Sequence, residues 1–298
     1  MIRFFTGIFT FILVLVNALF VIFVVTPLGL LRFIPIKPFQ IFILRINEKF
    51  SELYLFFNSR LQDLMHKSKF EVHGQEKLKK DMWQFTTINH LSWADIFVYL
   101  YFCNYRQSVP RIFMKSQLWW LPITWTANLG LAMPFVVRRS KEAIKANPKL
   151  AETDKNATRR ACKTHQMMPT NVGGFIEGTR IDKQKYLASK SKFKNLMPPK
   201  IGGMGYTLEV MPYIDHLTDV TIVYKSDKRS FWNFLCGDLN EASVTINTYE
   251  IPKELRGVDY ADNDEMRDKL KSFLESVWEV KDEIIENEKK KFGIESVF

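Results

Sequence analysis

Residues Phe4 to Leu31 contain no charged side chain, and this run constrains the chain more than any other feature. An uncharged segment of about 28 residues is about 42 Å long as a helix, more than the roughly 30 Å hydrocarbon core of a bilayer. A secretory signal peptide is shorter and ends at a small-residue cleavage site, which this run lacks. A membrane-anchoring helix is therefore expected, broken near its end by Pro27 and Gly29. Arg32, Lys37, Arg45 and Lys49 follow the run, whereas Arg3 alone precedes it, so the charge bias puts the C-terminal side in the cytoplasm. Phe39 to Phe57 is also apolar over much of its surface, so a hairpin or an in-plane helix pair fits the pattern too.

The rest of the 298 residues is long enough for a sizeable core. A net charge of +10 favours an anionic partner, such as anionic lipid or a phosphorylated ligand. The same surplus would also arise from the positive-inside bias or from a solubilising surface. Nucleic acid is not expected, because there is no zinc spacing, RNA-binding signature or long basic block. Cys103, Cys162 and Cys236 are far apart and odd in number, which argues against a disulfide framework or structural metal and fits a reducing compartment.

Beyond the apolar N-terminus the pattern changes. Phe70 to Gly74, Gln84 to Ile88, Asn171 to Phe175, Val220 to Tyr224 and Val244 to Tyr249 read as strands. Ile96 to Cys103 reads as a buried helix and Asp262 to Lys291 as an amphipathic one. Gly202, Gly203 and Gly205 suggest a tight backbone before a helix, and Tyr186 to Lys200 a basic loop. Leu118 to Val137 is uncharged, but Pro122, Pro134 and three tryptophans (Trp119, Trp120, Trp125) suit a buried or interfacial segment better than a span. Strands alternating with helices imply an α/β fold: a single mixed-sheet domain flanked by helices and preceded by a hydrophobic helix or helix pair.

Two motifs carry the chemistry. In Asn89-His90-Leu91-Ser92-Trp93-Ala94-Asp95, histidine and aspartate are five apart, about 140° around a continuous helix. They can meet only if His90 lies at a strand end and Asp95 reaches back from the first turns of the following helix. A carboxylate there would fix the imidazole tautomer and support the imidazolium, leaving His90 free to act as a general base. In Glu177-Gly178-Thr179-Arg180, the glycine allows close backbone approach and the arginine suits bidentate phosphate recognition. Glu177 could orient that arginine or accept from a ligand hydroxyl. Arg138 and Arg139, at the edge of an apolar segment, could flank a phosphate or snorkel to headgroups.

These residues, in this order, resemble the PlsC-type glycerolipid acyltransferases, the 1-acylglycerol-3-phosphate acyltransferase family. The family's N-H-x4-D block is matched by Asn89, His90 and Asp95, its F-x-x-R block by Phe135 and Arg138, and its E-G-T-R block by Glu177 to Arg180. Its fourth block centres on a proline after a hydrophobic strand, with Val210-Met211-Pro212 as the candidate. Arg139 beside Arg138 leaves the motif arginine open by one position. Asn195 to Lys200 with Gly203, and Asp219 to Thr221 with Tyr224, are closer to the branch holding the bacterial YihG and the lysocardiolipin acyltransferase-like enzymes.

The resemblance implies a membrane-associated acyltransferase, with residues 1–60 as the anchor and 61–298 as the acyltransferase domain. It implies acyl-CoA or acyl carrier protein as co-substrate, no cofactor and no metal. The acceptor is a lysophospholipid, 1-acylglycerol-3-phosphate before others, and the setting the cytoplasmic side of a bacterial inner membrane. His90 is then the base and Asp95 its orienter, with Arg138, Arg139, Glu177, Gly178, Thr179 and Arg180 around the acceptor. Another lysolipid or glycolipid acceptor, thioester hydrolysis, or inert lipid binding are the alternatives. With no G-x-S-x-G elbow, direct transfer is expected rather than an acyl-enzyme.

Overall fold

The computed structural model describes residues 1–133, 135–136 and 149–298. The uncharged run forms α1 (Ile2–Leu30), which continues through Pro27 and ends in a single 3-10 turn, Leu31–Phe33. The proline does not break the helix, because so near the C-terminus its missing N–H costs one bond of the ladder. α2 (Lys37–His66) opens with Pro38 in its first turn, where the amide would be unbonded anyway, and closes on Lys67 in a left-handed conformation. α2 crosses position 60 without interruption.

α1 and α2 pack against each other, and α1 touches the remainder of the protein along its whole length. Near its start Arg3 Nε donates to Asp238 Oδ1 at 2.8 Å. In the middle Asn17 Nδ2 donates to the Tyr54 carbonyl at 3.0 Å. Near its end the Thr26 and Thr126 hydroxyls lie 2.7 Å apart, and a Cβ on Gly29 would fall 2.5 Å from the Leu129 backbone. Its other face, including Phe4, Phe5, Phe9, Phe11, Leu15, Val16 and Phe23, is exposed.

The core is a five-stranded mixed sheet, built from β1 (Lys69–His73), β2 (Gln84–Ile88), β5 (Asn171–Gly174), β6 (His216–Tyr224) and β7 (Glu241–Glu250). Its order is β1-β7-β6-β2-β5, with β6 and β7 antiparallel and the other neighbours parallel. β2 is buried at every position, as expected of a strand with neighbours on both edges and helices on its faces. A small parallel pair, β3 (Met114–Lys115) and β4 (Phe135–Val136), stands beside it. Between them a 3-10 turn, Ser116–Trp120, is followed after Leu121 by α4 (Pro122–Trp125), which runs on as a π-helix over Thr126–Gly130, and Trp119 and Trp120 are exposed. The segment is not a continuous helix.

The flanking helices are α3 (Asp95–Cys103), α5 (Lys149–Cys162), α6 (Lys183–Ser189), α7 (Ile201–Val210), α8 (Phe231–Leu235) and α9 (Asp264–Phe292). Three expectations are corrected. Residues 186–200 are not all loop, because the Asp182 carboxylate caps α6 by accepting from Lys185 N at 2.9 Å. Gly202, Gly203 and Gly205 lie inside α7 rather than before a helix, and Val210 closes that helix, so Pro212 follows a helix and not a strand. α9 has the expected signals: Asn263 as N-cap, acids in its first turn, lysines in its last, and Gly293 beyond.

Candidate active site

β2 delivers the site. Just past its end, the Asn89 side chain is fully buried and behaves as one more strand residue: Nδ2 donates to the Ile222 carbonyl at 2.9 Å and Oδ1 accepts from Ile222 N at 2.8 Å. The backbone is thereby held to β6 up to the point where His90 begins. Leu91 and Ser92 turn the chain, and Asp95 opens α3, where a carboxylate meets unbonded N–H groups and the positive end of the helix.

Asp95 is fully buried, and four donors among the described residues converge on it. Oδ2 accepts from His90 Nδ1 at 3.0 Å, Leu91 N at 2.8 Å and Ser92 N at 2.9 Å. Oδ1 accepts from the Tyr224 hydroxyl at 2.9 Å, at the C-terminal end of β6. With Nδ1 engaged by the carboxylate, Nε2 is the nitrogen left for a proton in flight. The imidazole stacks on Phe175 at 3.9 Å between centroids, and Trp93 meets it edge-on at 6.3 Å. Ser92 Oγ donates to the Arg229 carbonyl at 2.6 Å and accepts from Ala94 N at 3.0 Å, as a helix-start residue does.

The Glu177-Gly178-Thr179-Arg180 turn follows β5, the parallel neighbour of β2, so the two motifs meet at one end of the sheet. Glu177 is buried, and its oxygens go to backbone donors rather than to Arg180: Oε1 accepts from His90 N at 2.9 Å and Oε2 from Met197 N at 3.3 Å. Burial pushes its pKa up to about 7, against the pull of the His90 N–H and of the Lys281 charge. Gly178 has φ +80, and its N–H closes a turn on the Phe175 carbonyl at 3.0 Å. Thr179 is half-buried and Arg180 exposed, its guanidinium 5.0 Å from the Trp93 ring centre. Arg138 and Arg139 lie outside the described residues.

The structure therefore brings together His90, Asp95, Glu177 and Arg180, with Glu177 beneath the histidine instead of beside the arginine. Two participants carry no catalytic signal in the sequence. Tyr224 enters there only through the branch resemblance, as an aromatic at a strand end. Lys281 sits in α9, fully buried, 2.9 Å from Asp219 Oδ1 and donating to the Val220 carbonyl at 3.0 Å. Its signal is a lysine on the apolar stripe of Leu270, Leu274, Val277 and Ile285. No cluster of three or more His, Cys, Asp or Glu side chains suited to a metal occurs among the described residues.

Comparison with known proteins bears on what such a site does. No curated protein gives a significant sequence match. The crystal structure of the 1-acyl-sn-glycerophosphate (LPA) acyltransferase PlsC from Thermotoga maritima is similar, with a TM-score of 0.47 and 17% identity over 95% of this chain and 98% of that one. The family profile Acyltransferase matches residues 69–225, more than half of the chain and the stretch from β1 to just past β6 that holds both motifs. The chain belongs to the acyltransferase family.

Proposed function

We propose that the protein moves a fatty acyl group from an acyl thioester to the sn-2 hydroxyl of a lysophospholipid at a membrane surface, with 1-acylglycerol-3-phosphate as the first acceptor to test. The observation that carries this reading is the His90–Asp95 contact at 3.0 Å, which leaves Nε2 without a hydrogen-bond partner among the described residues, on an imidazole flanked by the Trp93 ring that carries the exposed Arg180. His90 takes the proton of the acceptor hydroxyl while Asp95 supports the imidazolium. The oxygen bonds to the thioester carbonyl carbon, and the tetrahedral intermediate collapses with cleavage of the C–S bond. The departing thiolate takes the proton back from His90, so the enzyme ends as it began. Arg180, with Arg138 or Arg139, holds the acceptor phosphate and so orients its hydroxyl.

The membrane setting rests on α1. A helix held to the domain at both ends, with aromatic and aliphatic side chains outward, suits an in-plane anchor that lets the acceptor reach His90 without leaving the lipid. The catalytic side is then the cytoplasmic one, as the basic residues after α1 favour. Acyl-CoA and acyl carrier protein are both chemically competent donors, and the lysocardiolipin-type branch adds larger lysolipids as acceptors.

The test is purified full-length protein with labelled acyl-CoA or acyl carrier protein against a panel of lysophospholipids. Transfer to the lysolipid should fall by about 10²–10⁴-fold in His90→Ala, the usual contribution of a general base. Near-normal turnover in that variant, or thioester loss without acylated lipid in the wild type, would overturn the reading.

A further inference from the structure

We infer that the protein has a second anion site, remote from His90, which takes a phosphate group between the α1–α2 turn and the start of β5. The site is a cavity of about 310 Å³ lined by Arg32, Phe33, Gln40, Asn128, Arg160 and Thr164, among others. Its position in the sheet separates it from the chemistry. Thr164 precedes β5, whose first residue, Asn171, pairs with Gln84 at the start of β2. His90 lies beyond the opposite end of β2, six residues on, which is about 20 Å at the rise of a strand. None of the side chains touching His90 lines the cavity.

The charge in this cavity calls for an anion. Arg32 is half-buried, and burial lowers its pKa. Nη2 donates to the Asn128 carbonyl at 3.3 Å, while Nη1 is buried without a hydrogen-bond partner among the described residues. Among those residues no carboxylate pairs with Arg32 or with Arg160. A guanidinium partly withdrawn from water and lacking a counter-charge is costly, and Arg160, exposed at the same cavity, adds a second guanidinium with the planar donor geometry that phosphate oxygens match. Gln40, Asn128 and Thr164 add neutral polar groups.

The surroundings bear on where the phosphate comes from. Leu31, Phe33, Ile34 and Ile36 are exposed around the same turn, so an occupant with acyl chains would find apolar surface at the rim. A phospholipid headgroup and free phosphate share the chemistry that the arginines recognise, and experiment separates them.

The experiment uses the full chain in dodecyl maltoside without phosphate, with the shift in melting temperature measured against inorganic phosphate and against dioctanoyl phosphatidylglycerol. At least one probe should raise the melting temperature of the wild type. A rise with inorganic phosphate assigns a free anion; a rise with the amphiphile alone assigns a lipid headgroup. Arg32→Met and Arg160→Gln should each need at least a tenfold higher concentration for half the effect, while Arg267→Gln on α9 keeps the wild-type value. Without any probe, Arg32→Met should melt at or above the wild-type temperature, because it removes an unpaired cation. If Arg32→Met fails to fold, Arg160→Gln decides. The inference is overturned if neither probe shifts the wild type, if the cavity variants respond like the wild type, or if Arg267→Gln loses the response as they do. These readouts do not depend on acyl transfer, so they stand or fall apart from the proposed reaction.

Discussion

The Tyr224 hydroxyl donates to Asp95 Oδ1 at 2.9 Å, on the oxygen that His90 does not use. β6 thus holds one side of the carboxylate and the Leu91–Ser92 turn the other, so the imidazole meets an acceptor that cannot rotate. Tyr224 is fully buried, and the neighbouring Asp95 charge and burial together keep it protonated, its pKa raised well above the usual value with burial the main cause. It is a positioning residue: it acts on His90 only through Asp95. Tyr224→Phe should lower kcat about 10- to 100-fold with little change in KM, the loss of one hydrogen bond to a charged group being worth about 1.5–3 kcal/mol. Steady-state kinetics with the acceptor varied check this; a change confined to KM would remove Tyr224 from the positioning role.

Glu177 makes stability depend on pH. Its folded pKa of about 7 lies above its ordinary 4.5, so between those values the folded protein binds more protons at this site than the unfolded chain. Stability from this group is therefore fully present below about pH 4.5 and is lost as pH rises towards 7, by roughly 3 kcal/mol in total. Glu177→Gln should flatten the fall in urea midpoint between pH 5 and pH 8. An unchanged slope would mean that another group is responsible.

Gly178 stands at φ +80, and a Cβ there would lie 2.8 Å from Lys200 Nζ. Lys200 can swing away, but the left-handed backbone costs a side chain about 1–2 kcal/mol. Gly178→Ala should lose about that much stability, and adding Lys200→Ala should restore little of it. Full recovery in the double variant would make the contact, not the backbone, the reason for glycine.

Trp93 is exposed and carries the Arg180 guanidinium over its ring. Exposed cation–π contacts are worth about 0.5–1 kcal/mol. Trp93→Ala should therefore raise the acceptor KM about 2- to 5-fold, and Trp93→Phe less. A fall in kcat at unchanged KM would instead tie Trp93 to the edge-on contact with His90.

Asn89 reads in the sequence only as the first letter of a motif, yet its amide bonds both the N–H and the carbonyl of Ile222. Asn89→Ala leaves two buried backbone groups without partners, at about 1–3 kcal/mol each. The urea midpoint should fall accordingly, and Asn89→Asp, which keeps the acceptor alone, should lie between the two.

Much of this was legible from residue order. The spacing of His90 and Asp95 excludes a shared helix, and the junction of β2 with α3 is where the pair is found. The short runs read as strands fall on β1, β2, β5, β6 and β7, and the amphipathic pattern located α9. The misreadings have different physical causes. Gly202, Gly203 and Gly205 look like helix breakers, but α7 draws its stability from packing, which overrides intrinsic propensity. The basic run after Arg180 looks like loop until a single carboxylate, Asp182, caps a short helix within it.

By itself the sequence determined which chemical groups are present and which can be neighbours along the chain: an apolar helix, a histidine with an aspartate five residues on, and a glycine turn with an arginine. It could not determine what meets across the sheet, because those contacts join residues 87 to 133 positions apart. Only the tertiary structure put Glu177 under the His90 backbone, Tyr224 on Asp95 and Arg32 beside Arg160. The physical reason is that hydrophobic pattern and propensity act along a strand or helix, whereas the partner of a buried polar group is chosen by the register and order of strands brought together when the core closes.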